Sequence, residues 1–476
     1  MPSKWGAWIE DRFGLEEIYR SFLHRRVPKT AWYHGDGATL LLLLMVLIAT
    51  GMFMTPTYSP DPDTAYQSVN RITQEQLLGW FVRSLHYWSA GLMMVMLVFH
   101  LLRQILLAGY KSPREGTWLL GVVMFFLIIL MAFTGYLLRW DERALHALRA
   151  SLHMFWNVPI IGERLVVFIQ GGYELGAQTL TRIYAVHVVF VPMLLIAFAS
   201  YHLYLVIVRG VTSPAERQQP IESAQQQKEL YHRIEQDESR SETFHPYTTA
   251  KSGAMAIVVF MLAVVLAIVA GPAPLQPEAN LVERAFPAEE WYFYWYSALI
   301  ALLPPWLAPS FVVLFPLVVF VVLVLLPFVD RSPHRGFTKR PIAIGVVVLT
   351  VVALLYLSDL RRRSPWTAWP REAPPAVPTG VTLTPAAERG RLLFAVHGCN
   401  TCHAVAGDGA QVGPDLSQIA EPYSYDELRA WVLNPPAEVP MPSYEDRISE
   451  EDLDAIVNYV LVAQTFPIEV REAEDE

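Results

Sequence analysis

Two thiols and an imidazole stand together in Cys399-Asn-Thr-Cys402-His403, and the 476-residue chain has no other cysteine. Cys-x-x-Cys-His is the attachment pattern of a c-type haem. Each thiol can bond a haem vinyl group, and the adjacent imidazole then lies against the iron as an axial ligand. A Cys-x-x-Cys redox pair does not require the following histidine, and a zinc site needs further ligands nearby. With both thiols used, none is left for a disulfide, an iron–sulfur cluster or a second covalent haem.

Four more histidines sit in apolar surroundings. His86 and His100 are fourteen positions apart, and His187 and His202 are fifteen apart. Ionisable groups at membrane depth are costly and mark function. Fourteen residues of helix rise about 21 Å and make nearly four whole turns, so each pair shares one face of its helix. With the two helices running in the same direction, His86 faces His187 near the outer surface. His100 then faces His202 near the inner surface. Two bis-histidine haems stacked across a bilayer need that arrangement. Gly37 and Gly51 repeat the fourteen-residue interval, as do Gly121 and Gly135. Glycine lets a flat ligand approach a helix backbone closely. Arg83, Arg103, Arg114 and Arg209 flank these registers and could pair with haem propionates.

The elements that must position these groups are apolar. Hydrophobic residues make up 53% of the chain and charged residues 17%, too apolar for an ordinary soluble domain. The net charge of -9 offers no footprint for nucleic acid. Seven segments, near 38–55, 81–107, 117–138, 185–208, 253–271, 307–329 and 341–358, are long enough to span a bilayer. Residues 5–26 suit an amphipathic helix on a membrane surface and are not a secretory leader. The pattern divides the chain into an N-terminal surface segment 1–37, a four-helix core 38–208, a polar loop 209–250, a three-helix region 251–360, a proline-rich linker 361–380 and a polar globular domain 381–476. Seven crossings place the basic segments at 109–116, 209–250 and 330–340, with the N-terminus, on one side. By the positive-inside rule that side is the cytoplasm, which leaves 381–476 outside. Arg361, Arg362 and Arg363 run against this scheme.

With these residues in view, the chain resembles cytochrome b of the bc and b6f complexes. The four histidines match the haem ligands of that family. Gly135-Tyr-Leu-Leu-Arg-Trp140 resembles its Gly-Tyr-x-Leu-Pro-Trp segment, and Val158-Pro-Ile-Ile-Gly162 with Gly171-Gly172 is similar to its short surface helix. Pro287-Ala-Glu-Glu-Trp-Tyr292 resembles the Pro-Glu-Trp-Tyr quinol motif. Residues 381–476 resemble a class I cytochrome c, with Gly413-Pro-Asp-Leu416 and Pro440-Met-Pro442 as its marks.

The resemblance implies an all-α fold: a seven-helix transmembrane bundle of cytochrome b type, followed by a small soluble all-α cytochrome c domain. It implies two non-covalent b haems, on His86 with His187 and on His100 with His202, and one covalent c haem on Cys399, Cys402, His403 and Met441. Gly37, Gly51, Gly121, Gly135 and Arg83 would line the b haems. Glu290 would take the proton of a quinol, with Tyr292 beside it. The implied role is a subunit of a bc-type quinol:cytochrome c oxidoreductase in a bacterial inner membrane, contributing to proton translocation. Its implied partners are a separate Rieske iron–sulfur protein, a quinol or quinone, a cytochrome c-type acceptor, membrane lipid and a second copy in a homodimeric complex. The chain departs from the family at Arg139, which replaces proline, at the extra residue before Glu290, and at Gly35, in the region where b6f carries a haem-binding cysteine. The first two departures favour a rival role, a redox membrane anchor that relays electrons without Rieske-dependent quinol oxidation. His34, Asp36 and Arg209 are open candidates beside an inner-face quinone.

Overall fold

The computed structural model describes residues 4–14, 16, 23–30, 32–156, 158, 160–173, 175–279, 289–303, 307–363, 374–409, 413–417, 419, 422–436, 441, 443–445 and 448–466. Two compact units emerge: Met1–Ala279 with Leu299–Tyr356, and Asn280–Ala298 with Leu357–Glu476.

In the first unit a short helix α1 (Lys4–Phe13) leaves Trp5, Trp8 and Phe13 exposed. After strand β1 (Arg26–Pro28) come α2 (Asp36–Met54), the short α3 (Ala65–Gln74), α4 (Gly79–Leu106) and α5 (Glu115–Leu137). Two helices, α6 (Glu142–Trp156) and α7 (Gly162–Gln170), precede the long α8 (Ala177–Arg209). Then follow α9 (Ala224–Gln236), strand β2 (Ser241–Thr243) and α10 (Thr249–Val269). A short α11 (Tyr294–Ala301) begins in the second unit; the last long helices are α12 (Ala308–Val329) and α13 (Pro341–Arg363), the latter passing into the second unit at Leu357. Among the described residues seven helices are long and apolar enough to cross a membrane, one for each segment expected from the sequence. Large apolar side chains such as Leu317, Val318, Val322, Leu349 and Leu355 point outward on α12 and α13. Only a hydrocarbon surround makes that favourable.

Helices α2, α4 and α10 pack together, with Leu43, Met93 and Met96 at their centre, while α5 packs on α8. Helix α8 is not uniform. Val186–Phe190 form a π turn, in which the Val191 N–H reaches back to the Val186 carbonyl. Pro192 follows directly. Its ring lacks a donor and would crowd the carbonyl four residues back, and a widened turn relieves both problems.

The basic segments meet at one end of the bundle, as the charge pattern required. Lys111 bonds Asp330 at 2.8 Å, Arg340 bonds the same carboxylate at 2.9 Å, and Tyr110 donates to it as well. Glu216 in the 209–250 loop is fully buried between Arg114 at 2.8 Å and Arg335 at 3.2 Å. Burial pushes the Glu216 carboxyl up, but Arg114 and Arg335 more than reverse this and hold it below the usual range. Breaking such a buried pair from one side typically costs ~3–5 kcal/mol. Strands β1 and β2 pair antiparallel and tie the N-terminal segment to the same loop.

The second unit holds α14 (Pro385–Val396), a two-stranded ribbon of β3 (Ala404–Val405) and β4 (Asp408–Gly409), α15 (Tyr425–Leu433) and α16 (Glu450–Ala463). Thr384, Ser424 and Ser449 cap the three helices with their side-chain oxygens. Phe394, Val405, Leu428, Ile456, Tyr459 and Phe466 form the core. Helix α13 runs on through Arg363, so the arginines assigned by sequence to the linker are helical.

Candidate functional site

The four membrane histidines lie on α4 and α8 in two tiers. His86 and His187 are near enough to interact electrostatically, and so are His100 and His202. The fifteen-residue interval on α8 includes the π turn, which takes up one extra residue. His187 and His202 therefore keep nearly the register that His86 and His100 have on a regular helix.

Each of the four glycines faces one histidine ring. A Cβ on Gly37 would lie 3.8 Å from His100 Cε1, one on Gly51 3.6 Å from His86 Cε1, and one on Gly121 3.5 Å from His202 Cε1. On Gly135 it would come within 2.5 Å of His187 Cε1, closer than real Cβ atoms approach. The two tiers are thus framed by two histidines and two glycines each. Backbone and imidazole come together with no intervening side chain, as a flat iron porphyrin between two imidazoles requires.

Three of the four ring nitrogens nearer the backbone lie against a side-chain oxygen. His86 Nδ1 lies 2.8 Å from Thr50 Oγ1, and that hydroxyl donates to the Val46 carbonyl at 2.7 Å. His187 Nδ1 lies 3.1 Å from Thr134 Oγ1, whose hydroxyl donates to Leu130 at 2.8 Å. Both hydroxyls spend their proton on helix carbonyls and can only accept from the imidazole. That tautomer leaves Nε2 with its lone pair, the form a metal takes. His100 Nδ1 lies 3.0 Å from Asp36 Oδ2, and His202 Nδ1 is buried without a hydrogen-bond partner among the described residues.

The flanking arginines divide. Arg83 is buried and donates to the Ala273 carbonyl. Arg103 makes a bidentate pair with Asp36 at 2.6 and 2.7 Å. Arg114 belongs to the Glu216 cluster and also donates to the Gly210 and Val211 carbonyls, so its donors point at the loop. Arg139, the residue that replaces the family's proline, has Nε 3.3 Å from Asp141 and its guanidinium 4.8 Å from the Tyr136 ring centre. Its charge is balanced within the bundle.

In the second unit His403 Nδ1 lies 2.9 Å from the Pro414 carbonyl, which fixes the tautomer with Nε2 available. A Cβ on Gly413 would come within 2.6 Å of His403 Cε1. Burial, with Cys402 adding to it, pushes the Cys399 thiol up to about 12. A redox-active Cys-x-x-Cys pair needs the opposite shift. Both cysteines are free thiols, and burial holds His403 neutral by lowering its pKa. This fits a haem site better than a dithiol or a metal cluster. Met441 is described and half-buried, while Pro440 and Pro442 lie outside the described residues.

Glu289 and Glu290 differ sharply. Glu289 accepts from Arg361 at 2.9 and 2.8 Å and from the Ser297 hydroxyl. Glu290 is 2% exposed and stands just before a 3-10 turn, Trp291–Phe293. Its backbone is extended, φ -65° and ψ 143°, and the 3-10 turn begins only after it. Tyr292 lies in the 3-10 turn, its ring edge-on to Trp291 with centroids 5.5 Å apart. Pro287, the first residue of the proposed motif, lies outside the described residues.

Comparison with known proteins agrees with this geometry. Residues 24–210 match the cytochrome b/b6/petB family model, and residues 387–464 match the cytochrome c model. A cytochrome b of Allochromatium vinosum is 30% identical over 369 residues, covering 74% of this chain and 87% of that protein. The chain belongs to the cytochrome b family. A menaquinol:cytochrome c reductase cytochrome b subunit of Bacillus subtilis is 33% identical over 223 residues, 45% of this chain and all of that subunit. A solved structure described as a hyperthermophilic respiratory Complex III aligns with TM-score 0.63 at 26% identity, covering 83% of this chain and 96% of that one. The protein is thus a fusion of cytochrome b and cytochrome c, an integral membrane protein related to bc-type quinol:cytochrome c reductases. Such domains carry b-type and c-type haem.

Sequence reasoning about this cytochrome b missed Thr50 and Thr134 as partners of the histidines, and it did not foresee Asp36 beside His100. The signal for the threonines was present. Each immediately precedes one of the spaced glycines, Gly51 or Gly135, and so lies one position along the helix from it.

Proposed function

We propose that this chain is the cytochrome b/c subunit of a bc-type quinol:cytochrome c oxidoreductase. Quinol is oxidised at the outer side, and electrons pass by two b haems on His86/His187 and His100/His202 and by a c haem on Cys399, Cys402, His403 and Met441. The observation that carries this is the one-to-one match of four glycines with four histidines in two tiers. Bound haem supplies one-electron transfer; the rest is the protein's work. Thr50, Thr134 and Asp36 orient the rings. Gly37, Gly51, Gly121 and Gly135 leave the clearance, and Arg83 lies at the rim of the outer tier.

Quinol loses two protons as it is oxidised, so a base must meet its hydroxyl. Glu290 is that base. It directly precedes Trp291-Tyr292, the position of the motif glutamate, whereas Glu289 pairs with Arg361 and Ser297. Tyr292 offers a hydroxyl to the same substrate. The second electron leaves through a separate Rieske-type protein, because the chain's only two cysteines belong to the c haem.

The basic end of the bundle faces the cytoplasm and the c domain faces outward. The arginines at 361–363 do not oppose this strongly. Arg361 is paired with Glu289 at 2.8 Å, and Arg362 and Arg363 with Asp359 at 2.9 and 2.8 Å, so three positive charges meet two carboxylates. The complex is a homodimer, contributes to proton translocation and passes electrons to a cytochrome c-type acceptor. The anchor alternative draws on the charge at Arg139, which Asp141 balances, and on the extra residue before Glu290.

The test is a haem count followed by kinetics. Acid-acetone extraction and pyridine haemochrome spectra should give two extractable b haems and one covalent c haem per chain. Glu290→Gln should then lower quinol:cytochrome c turnover by roughly 10²–10⁴ with unchanged haem spectra, the usual cost of losing a general base. Glu289→Gln should cost much less. Near-wild-type turnover in both variants would leave the membrane anchor as the better reading.

A further inference from the structure

Three of the four membrane histidines keep Nδ1 clear of carboxylates among the described residues: His86 meets the Thr50 hydroxyl, His187 meets the Thr134 hydroxyl, and His202 Nδ1 is buried without a hydrogen-bond partner. His100 does not. Its Nδ1 lies 3.0 Å from Asp36 Oδ2, and Asp36 is fully buried in the first turn of α2. Asp36 is itself held in place. Arg103, three residues beyond His100 on α4, grips both its oxygens at 2.6 and 2.7 Å, and the Gly37 N–H donates to Oδ1 at 2.8 Å. A buried carboxylate clamped this firmly has one geometry to offer the imidazole.

We propose that Asp36 is a positioning residue for His100: its carboxylate accepts the Nδ1 proton, turns Nε2 toward the haem iron and makes this imidazole the most electron-donating of the four. The inference rests on the ligand assignment given above. An anionic acceptor raises the basicity of a ligating histidine more than a hydroxyl does. A more basic imidazole favours oxidised over reduced iron. The His100/His202 haem is therefore held at a lower midpoint potential than a neutral acceptor would give it, while the His86/His187 haem, with threonine acceptors on both sides, carries no such bias. Arg103 balances the charge of Asp36, so the effect travels mainly through the hydrogen bond.

Equilibrium redox titration of the b-haem absorbance in the assembled complex tests this. Asp36→Asn should raise the midpoint of one b haem and leave the other b haem and the c haem where they were. Asp36→Thr, which copies the acceptor at His86, should raise the same midpoint, and Asp36→Glu should stay nearer to wild type than either. The double variant Asp36→Asn, Arg103→Gln removes one charge of each sign, so a rise that persists there comes through the ring and not from net charge. Unchanged b midpoints in both neutral variants would overturn the proposal. So would loss of one b haem in both, with the other haems kept, because a bond that only tunes a ligand is not needed to retain it. Absence of two b haems from the wild-type complex would instead remove the ligand assignment itself.

Discussion

The membrane bundle and the unit that carries Cys399 place an imidazole by opposite means. In the bundle each histidine is fixed by residues far along the chain: His86 by Thr50 and Gly51 on another helix, His187 by Thr134 and Gly135. In the second unit His403 is fixed by Pro414 and Gly413, some ten residues away, and by the two cysteines beside it. A distributed site is assembled by long helices and can fail one tier at a time. A local site travels with a short stretch of chain and fails as a whole.

The largest effects should come from removing the groups themselves. His202→Leu leaves a hydrocarbon side chain where nothing else can ligate, so one b haem should be lost, with the other b haem and the c haem kept. Cys402→Ser should do the reverse, abolishing stable covalent attachment with both b haems intact. Difference spectra of dithionite-reduced membranes and haem staining of denatured gels read the two results. Both b haems surviving in His202→Leu, or both vanishing in Cys402→Ser, would break the contrast between the two units.

Clearance comes next. Gly135→Ala puts a methyl 2.5 Å from His187 Cε1, whereas Gly37→Ala meets His100 at 3.8 Å, ordinary van der Waals contact. The first should lower occupancy of the His86/His187 haem, and the second should leave the His100/His202 haem near wild-type levels. Equal occupancy in the two variants would show that packing at Gly135 is looser than the helices suggest.

The smallest effect should come from shortening α8. Deleting Val189 together with Pro192→Ala lets the π turn relax to a regular helix and removes both causes of the wide turn. His187 and His202 then stand fourteen apart, as His86 and His100 do on α4, and both b haems should remain. Deleting Val95 from α4, which has no wide turn to absorb the loss, should rotate His86 and His100 by about 100° relative to each other. Haem content of the two deletion variants separates them.

Much of this fold was legible because it depends on composition and period. Seven apolar runs became seven long helices, and the basic loops met at one end because charges that cannot enter hydrocarbon gather at its margin. The histidine tiers were legible because fourteen residues nearly close four turns of helix. What stayed hidden depends on side chains from different helices. The pairing of Asp36 with His100 and Arg103 joins residues more than sixty positions apart, and no local pattern announces it. Glu289 and Glu290 are neighbours, and only Glu290 directly precedes Trp291-Tyr292. No local pattern shows that Arg361, some seventy residues away, pairs with Glu289.

The wide turn at Val186–Phe190 also bears on how such chains can diverge. Inserting a single codon into a membrane helix ordinarily swings everything beyond it out of alignment. Here the insertion stays where it is tolerated, beside a proline that already disfavours the regular turn, and the downstream histidine keeps its address. Residue counts between ligands are for that reason a poor ruler of ancestry in these helices. Two lineages that differ by one position can present the same pair of imidazoles, and the gap in their alignment belongs at the π turn rather than at either histidine.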